Sequence, residues 1–378
     1  MKAGLTVTGL FGREVLRLAR DRVAPARSIP RRVEDLDPVV LSRILGRPVT
    51  SVAPIEATAG TTDTARLALE GNGDGDDLPP SVFVKLAARS PVVRLFGNLV
   101  DLGGEEIGFY DHVRPQLTIE APTALGLERD PATRRFVIVL DDLQARDVAF
   151  TDTRTPCPLD RAEAVLATLA VLHAAHWASP RLAATGPGGL AWLRANGADP
   201  LLPLVALAMR RFGRRLAGED ASFVPAGGRI ILDRYAAVAR ELDAGPHTLL
   251  HGDPHPGNCY FVDGRAGLYD WQTVRRGSAL RDMTYFLVLA LDPEVRCRHE
   301  RDLLDHYRER LAAAGGPALT ADATWSGYRK MAAYPYAAAI FTAGLPGMQT
   351  RDIALAGLRR ASVAVDDLDT AETLTAVT

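Results

Sequence analysis

The sequence predicts an α+β fold, with a small antiparallel-sheet region followed by a larger, mainly helical one. Three observations predict it. Short apolar runs bounded by turn residues dominate residues 52–140. Helical periodicity takes over from Leu159 and continues to the end of the chain. A compact segment rich in Gly, Pro, His and Asp, with a hairpin inside it, interrupts the helices at 251–271. The 378 residues suffice for one large domain or two coupled ones. The expected division is an N-terminal helical extension and linker (1–30), a sheet-bearing domain (31–143) and a helical domain (144–378).

Each element follows from local pattern. Residues 1–30 read as a mostly amphipathic helix, with Val15, Leu16 and Leu18, that runs into a Pro/Arg-rich linker at 25–32, and 35–45 is a short helix. Strands are expected at 52–58, 64–69 and 82–86, and the stretch GNGDGDD (71–77) reads as a solvated Gly/Asp turn. One helix, 99–113, sets Ile107, Tyr110 and Val113 on one face, and strands at 123–127 and 136–140 close the region. From Leu159, with Asp160 as a candidate cap, Val165, Leu166, Leu169 and Leu172 recur at helical spacing. Residues 179–247 are helical but broken by Pro and Gly. A hairpin of 259–262 and 266–269 turns at Asp263-Gly264, and the remainder is helix after helix.

Composition excludes several classes. With 44 basic and 46 acidic side chains the formal net charge is −2, which gives no electrostatic footprint for nucleic acid. No apolar run reaches the ~20 residues that span a bilayer, and the N-terminus, broken early by Arg and Glu, lacks the features of a signal peptide. Three irregularly spaced cysteines (Cys157, Cys259, Cys297) predict neither disulfides nor a zinc site, in keeping with a reducing cytoplasm. Only three of the 44 basic residues are lysines (Lys2, Lys85, Lys330), so Lys85 has escaped a strong arginine bias and calls for a reason.

The chemistry centres on HGDPHPGN (251–258) and DWQ (270–272). Asp253 and Asn258 stand five apart on a Pro/Gly-stiffened loop, and Asp270 follows Asn258 after a tight hairpin. Three oxygen-bearing side chains in this order are what phosphoryl transfer needs. One carboxylate accepts the attacking hydroxyl's proton, and an Asn/Asp pair supplies hard oxygen ligands for Mg²⁺. The catalytic loop of protein kinases has the same Asp-x-x-x-x-Asn spacing. Lys85, in the strand VFVKL, is the candidate to pair with nucleotide phosphates. Its helix partner is Glu105 or Glu106, with Glu106 favoured because it precedes Tyr110 by one helical turn. The apolar run 137–140 turns polar at Asp141, Asp142 and Leu143, as expected where adenine meets backbone groups.

These motifs, with LHA (172–174), RDMTYF (281–286) and PGMQ (346–349), resemble the phosphotransferase superfamily of aminoglycoside phosphotransferases, choline kinases and ecdysteroid-kinase-like proteins. The similarity runs from about residue 30 to the C-terminus, and DWQ and PGMQ look most like the ecdysteroid-kinase-like branch. The resemblance implies a bilobal protein-kinase-like fold, Asp253 as catalytic base, Asn258 and Asp270 as magnesium ligands, and Asp282 as a brace for the catalytic loop. ATP and Mg²⁺ are then the expected cofactors, and a small-molecule hydroxyl the acceptor.

Departures from protein kinases narrow the target. No G-x-G-x-x-G occurs; Gly60, Thr61 and Thr62, joining the first two strands, are the candidates to cover the phosphates. Gly252 replaces the arginine that reads a phosphorylated activation loop. Eleven residues separate Asp270 from Asp282, too few for a peptide-docking platform. His255, two residues after the candidate base, is placed to donate to the γ-phosphate. The expected acceptor is therefore a small molecule. Residues 179–247, expected to shape its site, hold nine arginines against six acids, which favours a neutral or anionic acceptor over a polycation. Alternatives are an aminoglycoside or choline-type kinase, a metal hydrolase built on His251-x-Asp253-x-His255, and a pseudokinase that binds nucleotide without turnover. Intact Asp253, Asn258, Asp270 and Lys85 oppose the last. His173 and His176, three apart on an apolar helix, and Trp271, behind Asp270, read as packing residues.

Overall fold

In a computed structural model the chain divides into two units, Met1–Gln116 with Ala121–Val148, and Leu117–Glu120 with Ala149–Thr378. The structure describes residues 2–23, 29–71, 77–345 and 347–375, without the side chains of 2–7 and 23. Parts of the expected linker and Gly/Asp turn, and Pro346 of PGMQ, lie outside the described residues. The expected boundaries stood at 30 and 143; the units instead divide at 148, and 117–120 belongs to the second.

The first unit opens with α1 (Lys2–Val23) and α2 (Pro38–Leu45). Asp37 caps α2 by accepting the Val40 N–H at 2.8 Å, with Pro38 at the first helical position. Residues 1–30 were expected as a separate extension, yet α1 is tied to the unit's interior. Its buried Asp21 pairs with Arg94 at 2.7 Å and Arg135 at 2.5 Å.

Five strands follow: β1 (Ser51–Ala59), β2 (Thr62–Glu70), β3 (Ser81–Ala87), β4 (Ala124–Arg129) and β5 (Phe136–Asp141). They form one sheet in the order β1-β2-β3-β5-β4, antiparallel throughout. Strand alternation explains its core. Leu67, Leu69, Val82, Val84, Leu86, Val137 and Val139 join Leu36 and Leu41 in one buried apolar cluster. Lys85 falls between Val84 and Leu86 and therefore points to the opposite face, with Phe83 and Ala87.

The helical stretch after β3 differs from expectation. In place of a single helix at 99–113 there are α3 (Pro91–Val100) and α4 (Leu102–Gly108), followed by a π-helical turn, Phe109–Val113. Ser90-Pro91 starts α3, and Asp101, at φ +57°, breaks the run before α4. After β5, Asp142 accepts hydrogen bonds from Arg66, from the Ser81 hydroxyl at 2.7 Å and from the Gln144 N–H at 3.0 Å. Burial works the other way, but the bonds from Arg66 and Ser81 hold its carboxyl below the usual carboxylate range.

The second unit begins with β6 (Ala149–Phe150) and α5 (Leu159–Ala175). Pro158 stands at the cap position of α5, and Asp160 lies in the first turn instead. Then come α6 (Leu202–Glu219), α7 (Ala226–Asp233), α8 (Tyr235–Leu242) and four short strands: β7 (Thr248–Leu250), β8 (Cys259–Val262), β9 (Arg265–Leu268) and β10 (Arg275–Gly277). Helices α9 (Ala279–Ala290), α10 (Pro293–Ala313), α11 (Ala321–Met331), α12 (Ala333–Gly344) and α13 (Arg351–Asp367) complete it. In α9 every residue but Leu280 is buried, a solid post within the unit. Among the described residues no helix is long and apolar enough to cross a membrane.

Asp142→Ala should cost about 2–4 kcal/mol, because it leaves the Arg66 and Ser81 donors without their partner. Urea unfolding of the full chain checks this, and a loss below ~1 kcal/mol contradicts it.

Candidate active site

Strands β7 and β10 pair antiparallel, with Leu250 opposite Arg275. Their far ends therefore hold loop 251–258 and segment 270–274 at a common base. At the loop's first bend Gly252 has φ +88°, and a Cβ there would stand 2.1 Å from the Thr273 carbonyl oxygen. Only glycine fits, which accounts for the missing arginine.

The loop hangs from α9. The wholly buried Asp282 accepts the N–H of His251 at 2.6 Å and that of Gly252 at 3.2 Å. His173 Nε2 lies 3.5 Å from the same carboxylate, and its Nδ1 meets the Tyr307 hydroxyl at 2.8 Å. Burial would raise Asp282, but His173 and Arg281 beside it hold the carboxyl below the usual range. His251 is also buried, which pushes its imidazole below the ordinary value. The neutral ring donates from Nε2 to the Tyr269 carbonyl at 3.0 Å and accepts the Asp253 N–H at Nδ1, 3.3 Å away, a tautomer assigned from its neighbours. Both nitrogens are thus engaged with backbone, which removes His251 from a hydrolase ligand set. Trp271 is fully buried with its ring centroid 4.5 Å from that of His251, a packing residue as expected.

Asp253 follows. Its Oδ1 accepts the Tyr285 hydroxyl at 2.5 Å, and its Oδ2 lies 3.8 Å from His255 Nε2. Burial pushes this carboxyl above the usual carboxylate range, against the pull of His255 and Tyr285. The main-chain carbonyl of Asp253 accepts the His255 N–H and Asn258 Nδ2, both at 2.9 Å. The second bond uses the donor end of the Asn258 amide.

The β8–β9 hairpin then returns the chain to the same point. It turns at Asp263 (φ +50°) and Gly264 (φ +74°), the two positive angles of a type I′ turn. Its register sets Cys259 opposite Leu268, and the Tyr269 N–H donates to the Asn258 carbonyl at 3.1 Å. Asp270 therefore stands beside Asn258. It adopts φ +64°, a conformation that non-glycine residues keep only where surrounding contacts impose it, and Gln272 Nε2 touches its carboxylate at 3.2 Å.

The remaining predicted residues lie in the first unit. Lys85 on β3 meets Glu106 of α4 at 2.7 Å, and both are buried. Gly60, Thr61 and Thr62 form the β1–β2 turn, closed by the Gly60 N–H on the Thr62 carbonyl at 3.1 Å. Asp141 ends β5 and accepts the Thr123 N–H at 2.6 Å, while Leu143 is buried just beyond. The structure thus gathers two sets: Asp253, His255, Asn258 and Asp270 in the second unit, Lys85 with Glu106 in the first.

The model of the phosphotransferase enzyme family matches residues 75–334. The chain belongs to this family. No curated protein matches the sequence. Among solved structures, the amicoumacin kinase hAmiN, in complex with AMP-PNP, Ca²⁺ and Ami, is similar at a TM-score of 0.50 and 13% identity, over 84% of this chain and 88% of that one. A choline kinase from Cryptosporidium parvum Iowa II is similar at 0.51 and 9% identity, over 86% and 91%. At such identities the likeness is one of fold, and it agrees with the expected sheet-plus-helix, protein-kinase-like architecture.

Sequence reasoning missed two neighbours of the loop and one of the hairpin in this phosphotransferase. Tyr285 holds Asp253, and Tyr334 donates to the Gly252 carbonyl at 3.0 Å. Glu120, far upstream, accepts the Leu268 N–H at 3.1 Å and the Tyr260 hydroxyl at 3.0 Å. Only Tyr285 left a signal, its place three residues after Asp282 on one helical face.

The depressed carboxyl of Asp282 fixes a sign. Its contribution to stability is fully present above the unfolded value of ~3.9 and is lost as the pH falls through the lower folded value. Asp282→Asn should therefore cost about 2–4 kcal/mol at neutral pH, and the penalty should shrink below pH ~4. Unfolding measured across that range checks this; a penalty that grows on acidification contradicts it.

Proposed function

We propose that the chain transfers the γ-phosphate of ATP, with Mg²⁺, to a hydroxyl of a small molecule that is neutral or anionic. The observation that carries this reading is the convergence of Asp253, Asn258 and Asp270, fixed by one loop and one hairpin. Asp253 Oδ2 accepts the acceptor's proton as its oxygen bonds to the γ-phosphorus and the bond to the ADP oxygen breaks. A carboxyl raised above the usual range is a stronger base for that task. Asn258 Oδ1 and the Asp270 carboxylate are hard oxygen donors of the kind Mg²⁺ takes, and they are the residues to hold it. The metal, when bound, offsets phosphate charge. His255, beside Asp253, is placed to donate to the transferring phosphate. In the first unit Lys85, aligned by Glu106, holds the nucleotide phosphates; the β1–β2 turn covers them, and the backbone of Asp141 and Leu143 meets the adenine.

The acceptor's charge rests on residues 179–247. Asn196 bonds the Tyr334 side chain, which in turn touches the catalytic loop, so this section reaches the site within the second unit. Five of its six acids are already engaged. Asp199 accepts the Leu201 N–H, Glu219 pairs with Arg351, Asp220 holds Ser222, Glu241 pairs with Lys330, and Asp243 holds Arg281 and the Gly197 N–H. Few carboxylates remain for a polycation. This agrees with the likeness to ecdysteroid-kinase-like proteins, whose branch remains part of the proposal.

Hydroxyl compounds screened by ADP release, with variants as controls, test the reading. Asp253→Ala should lower kcat roughly 10²–10⁴-fold while nucleotide binding persists. Asp270→Ala should abolish metal-dependent turnover. Lys85→Arg should be damaging despite its charge, since a planar guanidinium does not fit a compact ammonium's place. Near-full turnover in Asp253→Ala contradicts the assignment.

Typical aminoglycosides should be poor acceptors. A kanamycin-type compound phosphorylated with kcat/KM of ~10⁴ M⁻¹s⁻¹ or above would refute the neutral-or-anionic assignment.

A further inference from the structure

The catalytic loop has a second anchor beyond the Asp282 carboxylate. Asp282 and Tyr285 stand three residues apart on α9, so they share one face of that helix. Asp282 grips the backbone of 251–252, and Tyr285 reaches the side chain of Asp253 at 2.5 Å. Tyr285 is itself held. It is 6% exposed, and its ring centroid is 5.5 Å from that of Tyr334, whose hydroxyl bonds the Gly252 carbonyl. The buried Arg281 guanidinium lies 4.8 Å over the Tyr334 ring and 3.3 Å from Asp243. Arg281, Tyr334 and Tyr285 thus form a brace ending on one oxygen of Asp253.

Resting on the kinase reading above, we propose that Tyr285 is a positioning residue: its hydroxyl occupies Asp253 Oδ1 and fixes the carboxylate so that Oδ2 alone faces the acceptor hydroxyl. A carboxylate on a short side chain rotates about its last torsion with little preference, and the two oxygens exchange places unless one is held. A charge-assisted O–H···O⁻ bond of this length is among the stronger ones available to a side chain. Locking the torsion raises the fraction of time the base is in line, which acts on kcat rather than on nucleotide binding.

The test is Tyr285→Phe in the full chain, which removes the hydroxyl and keeps the ring packed on Tyr334. The probe is MgATP turnover with water as acceptor, followed by ADP release, beside Asp253→Ala and the double variant. The expected result is a fall in kcat on the order of 10- to 100-fold, with KM for ATP unchanged. The double variant should be no slower than Asp253→Ala, since Tyr285 acts only through Asp253. A second readout is free of turnover. In protein labelled with ¹³C at the aspartate carboxyls, the Asp253 resonance, identified by its loss in Asp253→Asn, should move in Tyr285→Phe. Wild-type kcat in Tyr285→Phe with Asp253→Ala impaired overturns this inference and leaves the kinase reading standing. Wild-type turnover in Asp253→Ala overturns the kinase reading itself. Where water turnover is too slow to measure, the resonance decides, and an unmoved Asp253 signal overturns the proposal.

Discussion

One buried carboxylate holds the loop on which the second unit's candidate site is built. Loop 251–258 has almost no regular structure of its own. Its prolines stiffen it and its glycines permit its bends, but neither offers a ladder of hydrogen bonds. It is held instead by Asp282, whose oxygens take the N–H groups of His251 and Gly252 inside the core. A buried charge is tolerable there because donors surround it: two backbone N–H groups, with His173 and Arg281 near by. The post on which it stands, α9, is buried along nearly its whole length, so the loop inherits the rigidity of the core.

The first unit solves a similar problem with a sheet. A lysine in a strand of buried apolar residues would ordinarily be excluded, since desolvating an ammonium is costly. Alternation in β3 puts Lys85 on the face away from Val82, Val84 and Leu86, where Glu106 meets it at 2.7 Å. The helix that supplies Glu106 begins after the left-handed break at Asp101. That break sets where the glutamate stands relative to the strand.

Much of this was legible from residue types at fixed spacings. HGDPHPGN and DWQ stood out by residue type and spacing, and the structure brings the two segments side by side. Asp263-Gly264 announced the hairpin because both residues must take positive φ. Lys85 stood out against a background of arginine, and Glu106 rather than its neighbour Glu105 was favoured by helical spacing. What was not legible depends on distance along the chain. The Tyr285–Asp253 bond spans 32 residues and the Tyr260–Glu120 bond 140, and no local pattern encodes either. Helix α3 was missed although Ser90-Pro91 is a good start signal, because its apolar residues sit so close to β3 and to the stretch after it that a single later helix satisfied the periodicity. Residues 117–120 were assigned with the sheet by sequence order, whereas Glu120 bonds to β9 and Tyr260.

Intact phosphotransfer is the central claim, and the mass of the product tests it most directly. The full chain is incubated with MgATP and a pooled library of neutral and anionic hydroxyl compounds, and the mixture is read by mass spectrometry with ATP carrying ¹⁸O in its γ-phosphate. The predicted result is one compound gaining a single labelled phosphate, only when Mg²⁺ is present. Loss of ATP with all the label recovered in inorganic phosphate, or nucleotide that binds and is never consumed, would contradict it.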